Sequence, residues 1–423
     1  MAIKTPQIVK LLQLEGLGRK TAIKFCELSK NEIFDNDSDL QKFLLDCIDK
    51  KQLQRLPFYR HDDFKKAFDK ADEILYKSER GGIQILSRYD SDFPQALITI
   101  KDAPLILNFK GNYKALNELV GVAIIGTRNP TPEGVKSGEF FGNYYGKLGL
   151  NVVSGLAKGC DASGHRGCLQ GGGFTTAIVA HGLHTIYPAE NKELAERIVS
   201  SGGVLLSEYF VGTSALANYF VERDRLQAGL SQATIVIQTG VKGGTMHAVN
   251  ATIESNKLLG AVKYKSGYSE VIEGNEMLIR QGKAFPLTSE SLNEFTNKFF
   301  NLTEQKDSEK LEQKPVIIET PKPEGTQSQE VKNNILKNAD QPVDSYLQNL
   351  ADEVPVYQDN YNDNPHLIDG DIEVTYGQDV ENPDTGIDEH PITIENTDSI
   401  KKETNPTTKK SPKKNINQGK LDF

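Results

Sequence analysis

Between residues 120 and 262 the chain carries six short apolar runs, VGVAII, LNVVS, FTTAIVA, VLLS, ATIVIQ and LLGAV, separated by helix-like segments. Strands that alternate with helical segments, each strand a near-continuous run of β-branched and small apolar residues, build a parallel sheet covered on both faces. Several of the runs end in glycine beside a small polar or basic residue: Gly126-Thr127-Arg128, Ser154-Gly155 followed by Lys158-Gly159, and Gly243-Gly244-Thr245. In an open α/β sheet, ligands sit outside the carboxyl ends of the strands, where backbone N–H groups and helix N-termini favour anions. The expected fold is α/β, a Rossmann-like, doubly wound, mostly parallel sheet with an anion-binding edge.

The remainder of the chain is of a different kind. At 423 residues it exceeds one hydrophobic core, and a length prior gives about two or three domains. Residues 301–423 carry 25 Asp and Glu against 13 Lys and Arg, whereas residues 1–300 carry 33 against 36. The acidity thus belongs to the tail, and a pI near 5.5 does not exclude a nucleic-acid-binding body. The tail is dominated by Asn, Gln, Asp, Glu, Pro, Thr and Lys, which bury too little apolar surface to offset the entropy of ordering. It is expected to be disordered, with short exceptions at 343–350 and 367–376. The predicted organisation is a small helical domain over 1–78, a Rossmann-like domain with its lead-in over 79–300, and an acidic low-complexity tail over 301–423.

Cys26, Cys47, Cys160 and Cys168 form no C-x-x-C pair and have no His at ligand spacing, so neither zinc nor a disulfide framework is expected. No cofactor is expected, and without a G-x-x-x-x-G-K-[S/T] no ATP hydrolysis of the P-loop type is expected. The opening MAIKTPQIVKLLQ lacks the apolar centre of a signal peptide, and no run reaches the roughly 20 apolar residues of a membrane span. A cytoplasmic protein without membrane contact is expected.

Ile8, Leu11, Leu12 and Leu14 lead into Gly16-Leu17-Gly18, after which Ala22, Ile23 and Phe25 resume a helical period. This pattern resembles a helix-hairpin-helix, whose glycines turn the backbone tightly and offer N–H groups to a phosphate, with Arg19 and Lys20 alongside. The alternative is a glycine-capped corner that binds nothing. In the core, Arg128 follows a strand end and precedes Asn129-Pro130-Thr131-Pro132, a helix start, so its planar fork would project over the anion-binding edge. Lys158 would add a point charge, and Arg223 and Arg225 complete the expected phosphate site with Gly126, Thr127, Ser154, Gly155, Gly159, Gly243, Gly244 and Thr245. Asp161 and His165, four apart on a predicted helix, are read either as a hydrogen-bonded pair that pins the turn of Lys158 or as a base with its partner. Ser207 and Glu208 are read as strand-end framework, or as a nucleophile and base.

Phe93 to Gly111 reads F-P-x-x-L-x-x-I-x-D-x-P-x-x-L-x-x-x-G and leads into V-A-I-I-G-T-R. Further on stand S-G-L-A-K-G-C-D-x-x-G-H, Tyr187-Pro188 with Asn191, Leu206-Ser207-Glu208, then Phe220-Val221-Glu222-Arg223-Asp224-Arg225 with Ala228-Gly229-Leu230-Ser231, and Gly274 to Gly282. Together and in order, over about 200 residues, these segments resemble the DNA-processing protein A family, also called Smf. Three places depart from the family's pattern. Val221 and Asp224 replace a Pro and an Asn, Gly243-Gly244-Thr245 replaces S-G-S/T, and Val262-Lys263-Tyr264-Lys265 replaces V-P-G.

The resemblance implies a protein that is not an enzyme. It would bind single-stranded DNA in a basic pocket, protect incoming strands during natural transformation and help load the RecA recombinase, acting as a homodimer. A second class with such cores, the nucleotide-monophosphate phosphoribohydrolases, places a catalytic Glu on the helix after its Gly-rich turn. Here the P-G-G-x-G-T-x-x-E pattern is absent and Glu254 lies well into that helix. Two features belong to the tail. Residues 351–400 are acidic enough to mimic phosphates, and Gln418, Leu421 and Phe423 resemble the Q-x-x-L-x-F peptide that binds the bacterial sliding clamp.

Overall fold

The computed structural model describes residues 3–264 and 269–301, so the expectations for the tail, including residues 351–400 and Gln418, Leu421 and Phe423, lie outside the described residues. The chain opens with helices α1 (Thr5–Leu12), α2 (Arg19–Leu28), α3 (Asp37–Asp49) and α4 (His61–Arg80). Helix α3 starts where the Asn36 side chain accepts the Asp39 N–H at 3.0 Å, with Asp37 and Asp39 complementing the N-terminal end of the dipole. Helix α4 buries Phe64, Ala67, Phe68, Ala71 and Ile74, the spacing of one helical face. These side chains close over Ile8, Leu11, Phe25, Leu40 and Leu44, a core that also takes in Leu105 and Ile106.

Strands β1 (Gln84–Ser87) and β2 (Ile106–Gly111) follow, then β3 (Gly121–Ile125), α5 (Pro132–Lys147), β4 (Asn151–Ser154), α6 (Cys160–Gln170), β5 (Thr175–Val179), α7 (Lys192–Ser200) and β6 (Val204–Ser207). Helix α8 (Ala217–Leu230), β7 (Ala233–Val236), α9 (Thr245–Glu254), β8 (Leu258–Val262), α10 (Ser269–Arg280) and β9 (Phe285–Leu287) complete the order, and residues 292–301 are helical. The strands form one sheet in the order β1-β2-β6-β5-β4-β3-β7-β8-β9. From β6 to β9 all pairings are parallel, while β2 runs antiparallel to β6 and β1 antiparallel to β2. The six apolar runs are β3 to β8, and the sheet is the Rossmann-like, mostly parallel one that they predict.

Successive side chains of a strand leave on opposite faces, so a strand buried on both sides must be apolar throughout. Val122, Ile124, Val152 and Ile235 pack against Phe141 and Tyr145 of α5 and against Phe295 and Phe299. Their neighbours Ala123, Ile125 and Val236 meet Ala248 and Val249 of α9 on the other face, and Val153, Ile178 and Leu206 meet Leu226 and Leu230 of α8. Each of the Val, Leu, Ile and Phe side chains among them contributes about 1.5–3 kcal/mol through burial. The chain winds outward from β3 to β4, β5 and β6, then returns through α8 to place β7 on the other side of β3. At that reversal the loops leaving β3 and β7 diverge to opposite faces, and a crevice opens at the carboxyl ends of the strands.

Candidate nucleic-acid interface

A cleft of about 940 Å³ occupies this switch point, with Gly126, Thr127 and Arg128 after β3 on one side and Thr239 to Thr245 after β7 on the other. The β3 loop is fastened across it. The Thr127 N–H donates to Gln238 O at 2.7 Å. The Gln238 side chain accepts from the Thr131 N–H and donates to Thr131 Oγ1, both at 2.9 Å, and Thr131 Oγ1 in turn accepts the Gly134 N–H at the start of α5. Gln238 thus holds the helix cap of one wall from the strand end of the other. The β7 loop is braced by Asn275, which accepts the Thr239 N–H at 2.9 Å and donates to Ile237 O and Val262 O at 2.8 and 3.0 Å.

On the rim, the Arg128 guanidinium stands over the Phe220 ring, 5.2 Å from its centroid, and Phe220 rests against Tyr187 with centroids 5.8 Å apart. Tyr187 is half exposed and Val221 is exposed beside it. Across the cleft the N-terminus of α9 opens at Gly243, Gly244 and Thr245 without a side-chain cap, so its positive dipole end faces in. Lys242 and His247 line the same wall. The cleft therefore combines Arg128, Lys242, a helix N-terminus and the half-exposed ring of Tyr187, an arrangement that suits a phosphate backbone carrying unstacked bases.

The predicted site residues do not all gather there. Gly126, Thr127, Arg128, Arg223, Gly243, Gly244 and Thr245 line the cleft. Ser154 does not: it is wholly buried and its Oγ donates to Ile124 O at 2.6 Å. The turn after β4 is already filled by an internal anion, because Asp161 accepts the Gly155 N–H at 3.1 Å and the Ala157 N–H at 3.4 Å. Gly159 caps α6 from this turn, and Lys158, exposed on its outside, is ion-paired with Glu190 and does not line the cleft.

Arg223 lines the cleft floor with Asp161 and Asp224 but is itself buried, donating from Nη1 to Ile178 O at 2.5 Å with Nε 3.2 Å from Asp224 Oδ1. A methyl group on Gly155 would overlap the Arg223 guanidinium, so glycine is required where the arginine passes. Arg225 projects away from the cleft. Residues two apart on a helix do not share a face, and Arg225 bonds Glu208 at 2.7 and 2.9 Å and Asp102 O at 3.0 and 3.1 Å. Of the four predicted cations, Arg128 alone offers an exposed head to the cleft, and sequence reasoning missed Lys242 and His247 on the facing wall. A lysine directly before the Gly-Gly turn was the available signal.

Asp161 and His165 are not partners. His165 Nδ1 lies 2.7 Å from Thr175 Oγ1, and the imidazole is fully buried. Burial, reinforced by Arg223, lowers its pKa to about 3, so it is neutral and enclosed and cannot serve as a base in the cleft. Burial raises Asp161 to about 6 against the opposing pull of Arg223. Ser207 Oγ donates to His181 O at 2.6 Å and accepts the Tyr209 N–H at 3.0 Å, which makes it strand-end framework. Glu254, the last residue of α9, lies 3.5 Å from Lys101 and outside the cleft, so the phosphoribohydrolase arrangement is not reproduced.

The turn at Gly16 and Gly18 joins α1 to α2, and Gly18 is the N-cap of α2. Its basic residues turn toward the sheet. Arg19 lies 3.0 Å from Glu208 and 3.5 Å from Asp102, and Lys20 is 4.0 Å from Asp102. With Arg225 they line a second cleft of about 580 Å³. Among the described residues no cluster of three His, Cys, Asp or Glu could hold a metal, and no helix is long and apolar enough to cross a membrane.

The family model described as DNA recombination-mediator protein A matches residues 84–299. The protein Smf of Synechocystis sp. is 35% identical over 188 residues, 44% of this chain and 47% of that protein. The DNA processing protein DprA of Streptococcus pneumoniae is 32% identical over 219 residues, 52% of this chain and 76% of that one. The chain thus spans about half the length of the first relative and three quarters of the second. The X-ray structure of DNA processing protein A from S. pneumoniae aligns with a TM-score of 0.55 and 29% identity, covering 68% of this chain and 96% of the other. With the switch-point sheet matched in sequence over residues 84–299 and in three dimensions, this chain belongs to the DNA recombination-mediator protein A family.

Proposed function

We propose that the chain binds single-stranded DNA in the cleft between β3 and β7, protects incoming strands and helps to load the RecA recombinase during natural transformation. The observation that carries the reading is the rim, where Arg128 stacks over Phe220 and faces the uncapped N-terminus of α9. Charge of this kind attracts any nucleic acid. A ring face discriminates, because only an unpaired strand can lay a base on the half-exposed Tyr187, and base–aromatic stacking contributes about 1–3 kcal/mol per base. The family's resemblance supports a homodimer in the cytoplasm, RecA as the partner and a binding role without catalysis.

The test compares single- and double-stranded oligonucleotides binding the full chain at several salt concentrations. Tighter binding of single strands, with an affinity that falls as salt rises, is the expected result. Equal affinity for both forms would overturn the reading, and release of free base from a nucleoside monophosphate would favour an enzyme.

A further inference from the structure

The loop that joins α3 to α4 has a composition unlike any other in the described residues. From Lys50 to His61 it reads KKQLQRLPFYRH, with four Lys and Arg and no carboxylate. Lys50 is held by Asp46 at 2.6 Å, whereas Lys51, Arg55 and Arg60 are exposed and belong to none of the ion pairs among the described residues. In their midst Phe58 is 85% exposed, the most exposed large apolar side chain described.

The exposure is imposed by the loop's anchors. Leu53 and Tyr59 are buried beneath it, and the Tyr59 hydroxyl donates to Glu15 O at 2.7 Å. Pro57 packs against Gly16, whose φ of +76° and lack of a side chain let the α1–α2 turn come close: a Cβ there would lie 3.0 Å from Pro57 Cδ. Lys51 and Arg55 sit in the left-handed region at φ 57° and 62°, which non-glycine residues seldom adopt without surrounding constraint. Fixed between Pro57 and the inward Tyr59, the Phe58 ring has no inward path.

We infer that residues 50–60 form a second contact for single-stranded nucleic acid, with Phe58 as a stacking face for a base and Lys51, Arg55 and Arg60 as phosphate contacts. One exposed ring among unpaired cations is the composition of a single-strand platform, in which stacking and backbone charge act together. A protein partner would need an apolar patch, and the loop offers one ring. The placement agrees. The α1–α2 turn that packs on this loop also sends Arg19 to Glu208, directly after β6, and β6 ends on the same edge of the parallel sheet as β3 and β7. The loop therefore extends the edge on which the cleft lies.

The inference rests on the chain being a single-strand binder but not on the cleft being the site. Because the chain has no tryptophan, Phe58→Trp supplies a single reporter at an exposed position. Titration of the full-length variant with oligothymidylate should quench its emission, and the quenching should persist at higher strand concentration when Arg128→Ala is added. Phe58→Ala should weaken binding of long strands roughly 5- to 100-fold, and the Lys51→Gln, Arg55→Gln pair should flatten the salt slope by roughly 0.7 for each of the two phosphates no longer neutralised. Unchanged emission at a strand concentration that saturates the protein overturns the inference and leaves the cleft reading intact. Quenching that follows protein concentration without DNA overturns it in favour of contact between copies. Absence of any strand binding removes both readings.

Discussion

A helix advances about 100° per residue, so Arg223 and Arg225 leave α8 almost oppositely, and their neighbours divide the work accordingly. Arg225→Ala should leave the salt slope of DNA binding unchanged, while Arg128→Ala with Lys242→Ala should flatten it by roughly 0.7 for each phosphate that is no longer neutralised. Binding isotherms over a salt series check both, and an unchanged slope in the double variant removes the proposed cleft site. Arg223 lies buried in the floor of the same cleft, and its truncation leaves Asp161 and Asp224 buried with their cation gone. Removing one partner of a buried pair costs about 3–5 kcal/mol, so Arg223→Ala should fail in stability before it fails in binding, as denaturant unfolding would record. The sequence displayed the arginines but not their directions. In the second half of α8 almost every side chain is buried, so no polar stripe exists from which to phase the helix. His165 supplies a pH dependence. Its folded pKa of about 3 lies below the ordinary 6.5, so it stabilises the fold fully above about pH 6.5, and that contribution is lost as the pH falls toward 3. Asp161, raised to about 6 from 3.8, acts in the opposite sense: its burial opposes folding above pH 6, and the opposition fades on acidification. Relative to His165→Asn, the wild type should lose up to about 1.4 kcal/mol per pH unit below 6.5, read by urea unfolding at a series of pH values.

At the scale of elements, the strands buried on both faces were the most legible and those at the margins the least. VGVAII has no polar position and ATIVIQ only Thr234 before its closing Gln238, too few to alternate, and they became β3 and β7. Strand β2 lies in a proline-punctuated connection whose run from Leu105 to Phe109 reads as strand-like, whereas β9 is only Phe285-Pro286-Leu287, where proline hides a strand signal. Both sit toward a margin of the sheet, where neighbours and not local preference decide the conformation. The glycine-rich turn after β4 was visible, but its occupant was not, since nothing in the spacing says that Asp161 already fills it. The α1–α2 turn was likewise visible as a hairpin. Its basic residues serve a latch, in which Glu208 after β6 lies between Arg19 and Arg225. Glu208→Gln should lower stability by about 1–2 kcal/mol, at the weak end for a buried pair because Arg19 is partly solvated. The difference should shrink in high salt, and a loss independent of salt would argue that packing, not charge, holds the turn to the sheet.

At the scale of the molecule, charge is divided along the chain: residues 1–300 carry an excess of three cations, and residues 301–423 an excess of twelve carboxylates. Within the latter, residues 351–400 hold 14 Asp and Glu and no Lys or Arg. If such a segment, joined to the same chain, reaches the cleft, its effective concentration there would let even weak attraction to Arg128, Lys242 and the α9 N-terminus compete with DNA. Such a competitor would be a row of single charges, and its hold should depend on ionic strength more steeply than stacking on Tyr187 does. Deleting residues 351–400 should therefore tighten single-strand binding at low salt, with the advantage vanishing as the Debye length falls below about 8 Å near physiological ionic strength. An acidic peptide of the same sequence, added to the deleted protein, should restore the weaker binding only at concentrations far above that of the protein. Equal affinity of the full and deleted chains at low salt would show that the acidic segment does not reach the cleft.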